Sequence, residues 1–252
     1  MMRYAVFSDV HGNLEALTAV LEALGNEKVD RYLCLGDVVG YGADPSSCLC
    51  RLQEREAVIV GGNHEMGCIG KLTLEWFNPM ARAALLWTRD QLSFTDLDAL
   101  RRFPLTTTEG PCTLVHGTLR HPERFDYLVD LAAIIDILRL CQSLFCLVGH
   151  THVPCIVEYD RLHDRLLRVL LARDELTEVG FVNDPHRMRY LLNPGSVGQP
   201  RDGNPLASCA IIDLENQRLS IRRVPYDVAR AQQKIRQAGL PEFLAARLEI
   251  GR

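Results

Sequence analysis

Five apolar runs in this chain each end in a short polar cluster containing glycine, and no other feature constrains the fold as strongly. Tyr4-Ala5-Val6-Phe7 leads into Ser8-Asp9-Val10-His11-Gly12-Asn13, and Tyr32 to Leu35 leads into Gly36-Asp37. Ala57 to Val60 leads into Gly61-Gly62-Asn63-His64-Glu65, Cys112 to Val115 into His116-Gly117, and Leu144 to Val148 into Gly149-His150-Thr151-His152. Runs this short and this continuously apolar read as strands covered on both faces. Helical patterns separate the first three. Leu14, Leu17, Leu21 and Leu24 form one apolar stripe, with Gly25 as a left-handed stop, and a second helix is expected near Pro45 to Gln53. That alternation predicts a parallel sheet at the core, and the carboxyl ends of such strands line one crevice.

Further along, the strand rhythm lapses. Between Met66 and Phe103, Asn78 can cap a helix beginning at Pro79 and running to about Leu92, and Ser93 or Thr95 can start another that ends before Pro104. This stretch, about 66–103, reads as a helical insertion. Trp76, Phe77 and Trp87 within it supply aromatic surface, and packing onto the body is the expected use of aromatics at helical spacing. A helix from about Tyr127 to Leu140 precedes the fifth strand. Beyond it strands dominate, at Cys155 to Glu158, Leu166 to Leu171, Tyr190 to Leu192, Ala207 to Leu214 and Leu219 to Val224, with antiparallel pairing. Two helices separated by Gly239 close the chain over about 226–249.

Several function classes fall away. Lys and Arg number 28 against 32 Asp and Glu, a net charge of −4, and no basic block occurs, so binding along a nucleic-acid backbone is not expected. The nine cysteines have no C-x-x-C pair, and those in apolar runs, such as Cys34 and Cys146, read as buried thiols of a reducing cytoplasm. Asp9 interrupts any secretory signal, and the most apolar helical stretch, Leu128 to Cys141, carries Asp130, Asp136 and Arg139, so no membrane span is expected.

The chemistry lies in the clusters, which hold five of the eight histidines. Asp, His and Asn without thiolate form a borderline-to-hard ligand set suited to Zn, Fe or Mn. Taken singly, each residue has an ordinary structural use: Asp9 as a helix cap, Asp37 or Asn63 in a turn, the histidines as satisfied core side chains. Seven ligand-type residues, all at strand ends, make a metal site the better reading.

The ordered series D-x-H, G-D, G-N-H-E, H-G and G-H-x-H across residues 9–152 resembles the calcineurin-like metallophosphoesterase family, in particular its small stand-alone bacterial and archaeal members. Asn193-Pro194-Gly195-Ser196-Val197-Gly198 and the C-terminal helices resemble the same group, so the likeness spans nearly the whole chain. It implies a single domain over residues 1–252, an α/β sandwich of two packed mixed sheets flanked by helices, with the insertion as a small helical cap. Asp9, His11, Asp37 and His152 would hold one metal ion, and Asp37, Asn63, His116 and His150 a second, with Asp37 bridging. Mn, Fe, Zn or Ni would suit those ligands, Mn or Fe/Zn above the others.

The implied reaction is hydrolysis of a phosphate ester by in-line attack of a metal-bridging hydroxide, with His64 as general acid or transition-state donor. Small phosphodiesters or nucleotides are the expected substrates, ahead of a serine/threonine phosphoprotein or a dinucleoside polyphosphate. Asn13 can contact phosphate or cap the first helix, Arg201 can bind a phosphate bidentately or sit in solvent, and Glu65 reads as structural. Tyr41, Arg120 and His121 near the motif ends are weaker candidates, and His163 and His186 read as surface.

Overall fold

A computed structural model describes residues 2–252. Twelve strands form two six-stranded mixed sheets. In chain order the elements begin β1 (Arg3–Phe7), α1 (Leu14–Gly25), β2 (Arg31–Cys34), α2 (Pro45–Gln53), β3 (Val58–Ile59), α3 (Asn63–Cys68), α4 (Pro79–Gln91) and α5 (Phe94–Arg102). They continue with β4 (Thr106–Glu109), β5 (Cys112–Val115), α6 (Leu131–Leu140), β6 (Phe145–Leu147), β7 (Cys155–Asp160) and β8 (Arg165–Leu171). The last are β9 (Leu176–Gly180), β10 (Met188–Asn193), β11 (Ala207–Asp213), β12 (Arg218–Val224), α7 (Val228–Gln237) and α8 (Glu242–Ile250).

One sheet has the order β3-β2-β1-β11-β12-β9 and the other β4-β5-β6-β10-β7-β8. The pairs β1/β2, β2/β3, β5/β6 and β6/β10 are parallel, and the rest are antiparallel. The five motif-bearing strands all take part in parallel pairs, joined there by β10, and their carboxyl ends share one edge of the sandwich, as the run-and-cluster pattern predicts.

Alternation along β1 shows why its sequence is apolar throughout. Tyr4 and Val6 face the inter-sheet core with Leu33, Leu35, Leu114, Phe145 and Leu192, while Ala5 and Phe7 face the α1 stripe of Leu17, Leu21 and Leu24. α6 covers the outside of the second sheet through Ile137 and Leu138 against Val148 and Leu191. α7 and α8 pack through Ile235, Leu244 and Leu248 beside Ala81 and Ala84 of α4. Among the described residues no helix is long and apolar enough to cross a membrane.

Three local differences from expectation have physical causes. The Gly-Asn-His-Glu cluster is itself helical: α3 starts at Asn63, and Glu65 at its third position accepts from the Gly62 N–H at 2.8 Å. The helix expected from Tyr127 begins at Leu131, because Asp130 caps it by accepting from the Ala133 N–H. The edge strands β4 and β9 are absent from the sequence reading, since Thr106–Glu109 and Leu176–Gly180 are half-exposed and carry little apolar signal.

Candidate metal centre

The strand-end loops enter the site in backbone conformations that ordinary residues avoid. Asp9, His11, Asp37, His150 and His152 all have left-handed φ, between 50° and 64°, as does Tyr41 at 61°. Each such residue stores strain on the order of 1–2 kcal/mol, less for Asp and His than for bulkier side chains, so the surroundings must over-determine them.

They do so by hydrogen bonds between loops. Asp9 N–H donates to Gly36 O at 3.0 Å and His11 N–H to Asp37 O at 2.9 Å, which lashes the first loop to the second. Gly198 N–H and the Ser196 hydroxyl both donate to Asp9 O, so the Asn193–Gly198 turn holds the first loop from the other side. Glu65 is the strut beneath: its carboxylate accepts from the N–H groups of Asp37, Val38, Val39 and Gly62 at 2.8 to 3.1 Å. Burial, and then the charge of Asp37, raise its carboxyl to about 7, while those donors act the other way and require acceptor oxygens. The structural expectation for Glu65 is what the geometry realises. Close approach explains two glycines: a Cβ on Gly62 would collide with Asp37 Oδ1, and one on Gly149 with Ser8 Oγ and Asp9 Oδ2.

Inside this frame Asp9, His11 and His152 form one group, and Asp37, His116 and His150 another, each able to surround a single ion. Asn63 lies beside Asp37 on the cleft wall. His11, Asp37 and His64 form a third such group, so His64 also stands within reach of a metal.

Three histidines are oriented by backbone carbonyls. Nδ1 of His11 faces Val39 O at 3.2 Å, Nδ1 of His116 faces Leu35 O at 2.6 Å, and Nδ1 of His152 faces Gln199 O at 2.5 Å. With Nδ1–H donated to a carbonyl, Nε2 of each ring presents a lone pair. These lone pairs converge: His11 Nε2 is 3.3 Å from His152 Nε2, His152 Nε2 is 3.1 Å from Asp9 Oδ1, and His116 Nε2 is 3.3 Å from Asp37 Oδ2. Lone pairs facing one another in a buried site need a proton or a cation between them.

The unpaired atoms agree. Asp9 Oδ1, Asn63 Oδ1 and His150 Nε2 are buried without a hydrogen-bond partner, and all three belong to the sequence-derived ligand set. The donors present therefore fit metal ions.

Electrostatics point the same way. Burial alone would raise both carboxyls, but His152 and then His116 hold Asp9 well below the carboxylate range, and His116 and His64 do the same for Asp37. Burial lowers His11 and His152, takes His150 to about 3 and takes His64 to about 4. His116 alone rises, to about 9, because Asp37 overrides its burial. A metal ion competes with that proton for His116 Nε2.

His64 sits at the mouth of this cluster. Its backbone N–H donates to Asp37 Oδ1 at 2.9 Å, and its ring is enclosed by Tyr41 at 4.5 Å, His11 at 4.7 Å and Phe77 at 5.5 Å between centroids. Nδ1 is buried against Gly40 with no partner.

A cleft of about 240 Å³ opens over the cluster. Leu72, Trp76, Phe77, Asn78 and Ala81 line it from the 66–103 segment, Arg124, Phe125 and Tyr127 from the stretch before α6, and Arg201 from the loop after β10. The Arg201 Nη2 donates to Gln199 Oε1 at 3.0 Å, and its Nε is buried and unpartnered.

Both ends of the Asn13 side chain are engaged within the protein. Its Oδ1 caps α1 by accepting from Ala16 N–H at 3.1 Å and its Nδ2 donates to Gly198 O at 2.9 Å, so the helix-cap alternative is the one realised. Arg120 is turned to Asp136, and His121, His163 and His186 are exposed. Tyr127 escaped the sequence reading because it scanned as the start of a helix, and Arg124 and Phe125 because they lie between motifs and carry no pattern of their own. The signal for Tyr127 was Asp130, a cap residue that moves the helix start past it.

The chain belongs to the calcineurin-like phosphoesterase superfamily, whose domain matches residues 2–217. It is thus a metal-dependent hydrolase of phosphate esters. A crystal structure of a metallophosphoesterase from Sphaerobacter thermophilus is similar to it with a TM-score of 0.85 and 40% identity, covering 100% of this chain and 99% of that one. An uncharacterized protein of Methanocaldococcus jannaschii is 37% identical over 255 residues, covering 98% of both chains. A hypothetical protein from Pyrococcus horikoshii OT3, at 20% identity and a TM-score of 0.76 over 100% of this chain and 99% of that one, shares the fold.

Proposed function

We propose that this cleft hydrolyses small phosphodiesters or nucleotides with two transition-metal ions, manganese or an iron/zinc pair. Asp9, His11, Asp37 and His152 would hold one, and Asp37, Asn63, His116 and His150 the other. The observation that carries this reading is the buried convergence of His Nε2 lone pairs on Asp9 and Asp37, with Asp9 Oδ1, Asn63 Oδ1 and His150 Nε2 unpartnered. When bound, the ions supply Lewis acidity, lowering the pKa of a water and offsetting charge on the phosphoryl oxygens.

The residues supply the rest. Asp37 fits the bridging position because its Oδ2 faces both His116 and His11, at 3.3 and 3.8 Å, while Oδ1 is fixed by the His64 N–H. The His64 ring, held in place by Tyr41 and Phe77, donates to the departing oxygen as general acid or hydrogen-bond donor. Arg201, with Nε free, orients the phosphoryl group through its planar guanidinium. A cleft of about 240 Å³ walled on two sides suits a small ester better than a phosphorylated loop on a folded protein.

The test is metal-stripped protein reconstituted with Mn, Fe, Zn or Ni and assayed on phosphomonoesters, diesters, cyclic nucleotides, dinucleoside polyphosphates and phosphopeptides. Turnover of small diesters or nucleotides well above phosphopeptides is expected. Efficient turnover of phosphopeptides alone would overturn the substrate preference.

A further inference from the structure

The three aromatics of the 66–103 segment part company in the structure. Phe77, though it reaches the cleft beside His64, packs against two buried clusters, and Trp87 packs against the cluster that includes α7 and α8, as helical spacing predicts. Trp76 does neither. It closes a one-turn 3-10 helix, Leu74–Trp76, remains 66% exposed and lines the cleft above the metal ligands. A tryptophan that joins no hydrophobic cluster yet borders a polar cleft presents much of its flat face to whatever enters.

Tyr127 is its counterpart on another wall of the same cleft. It is 50% exposed, and its ring lies over His150 at 3.8 Å with an interplanar angle of 21°. Hydrogen-bond donors stand beside both rings. Asn78 Oδ1 is committed to capping α4, through the N–H groups of Met80 and Ala81, which leaves its amide NH₂ to donate. Arg124 lines the cleft too; its Nε lies 3.5 Å from Asp126 Oδ2, and the terminal amines of its guanidinium make no hydrogen bond among the described residues.

We propose that Trp76 and Tyr127 form a subsite for the heteroaromatic base of a nucleotide whose phosphate lies at the metal cluster. This rests on the phosphoesterase reading of the cleft and names the class of substrate it takes. Flat aromatic faces stack a planar ring, and the donors of Asn78 and Arg124 meet ring nitrogens or carbonyls that an alkyl or phenyl ester lacks. Stacking of this kind tolerates any base, because every base has a π-face.

The test compares adenosine 5′-monophosphate with ribose 5-phosphate, which carries the same phosphate and sugar without the base. Each compound's competition against turnover of a chromogenic phosphodiester by metal-loaded protein gives both apparent affinities. Wild type should bind the adenosine compound about tenfold more tightly, the range one stacked base supplies. In Trp76→Ala the ratio should fall to near one, Trp76→Phe should restore most of it, and Trp87→Phe should retain it. The chain has 2 tryptophans, so fluorescence adds a second readout: the nucleotide should quench Trp87→Phe, where Trp76 remains, and leave Trp76→Phe nearly unchanged. Equal affinities in wild type, or an undiminished ratio in Trp76→Ala, overturns the subsite. If the protein hydrolyses phosphate esters without any adenine advantage, the subsite alone fails; if it hydrolyses none, the phosphoesterase reading fails with it.

Discussion

The floor and the rim of the cleft are built on opposite principles. On the floor, Asp9, His11, Asp37, His116 and His152 are at most 2% exposed, four of them hold left-handed backbone, and each loop is tied to another by hydrogen bonds. On the rim, Trp76 and Tyr127 are at least half exposed and reach the cleft from short connecting segments. Rigidity belongs where ligand atoms must stay within tenths of an ångström of an ion, and substrate choice belongs where change costs the core nothing. Substitutions on the floor should therefore abolish function, and those on the rim should redirect it.

The largest effect is expected at Asp37, the residue proposed to serve both ions. Asp37→Asn should lose both metals and nearly all turnover, read by elemental analysis beside initial rates; a variant retaining two ions would remove Asp37 from the bridging position. His64→Ala should follow, lowering kcat by ~10²–10⁴ while metals stay bound. Loss of metal as severe as in His116→Ala would instead make His64 a ligand, the role its place near His11 and Asp37 permits.

Glu65 belongs to none of the metal-holding groups, yet Glu65→Ala would strand four buried backbone donors, that of Asp37 among them. A loss of about 3 kcal/mol or more in urea unfolding, with weakened metal affinity, is expected. A stable variant with unaltered metal affinity would show that the strained loops hold themselves.

On the rim, shortening the outer turn around Leu74–Trp76 should change relative kcat/KM among substrates and leave the metals in place. An unchanged substrate profile would mean that the 66–103 segment only packs. Smallest is Asn13→Ala, which removes the α1 cap and should cost about 1 kcal/mol in thermal or denaturant unfolding, with little change in KM. A large rise in KM would return Asn13 to the substrate.

Sequence carried the floor far better than the rim. Short apolar strands followed by Asp, Asn and His are a local signal, and parallel pairing brings the clusters to one edge, so the residues that meet at the floor were legible as a set, while the division of ligands between two ions came from the family resemblance and is a proposal. The left-handed backbone at Asp9, His11, Asp37, His150 and His152 could not, because nothing in those side chains distinguishes it from an ordinary turn. The reach of Glu65 back to Asp37, Val38 and Val39 is equally invisible, since it depends on how two loops stack rather than on spacing. At the rim, periodicity treats Trp76, Phe77 and Trp87 alike, whereas only tertiary packing decides that Trp76 stays outside. The helix beginning at Leu131 rather than Tyr127 is a different case: Asp130 marked the later start in the sequence, and what was not legible is that Tyr127, freed from the helix, stacks on His150.

Metal stoichiometry of the wild-type protein tests the central claim most directly. Loaded with manganese, freed of excess ion and analysed against protein concentration, the chain should carry close to two ions, and Asp37→Asn close to none. A reproducible wild-type value near zero would contradict the metal centre, and a value near one would contradict the paired arrangement around Asp37.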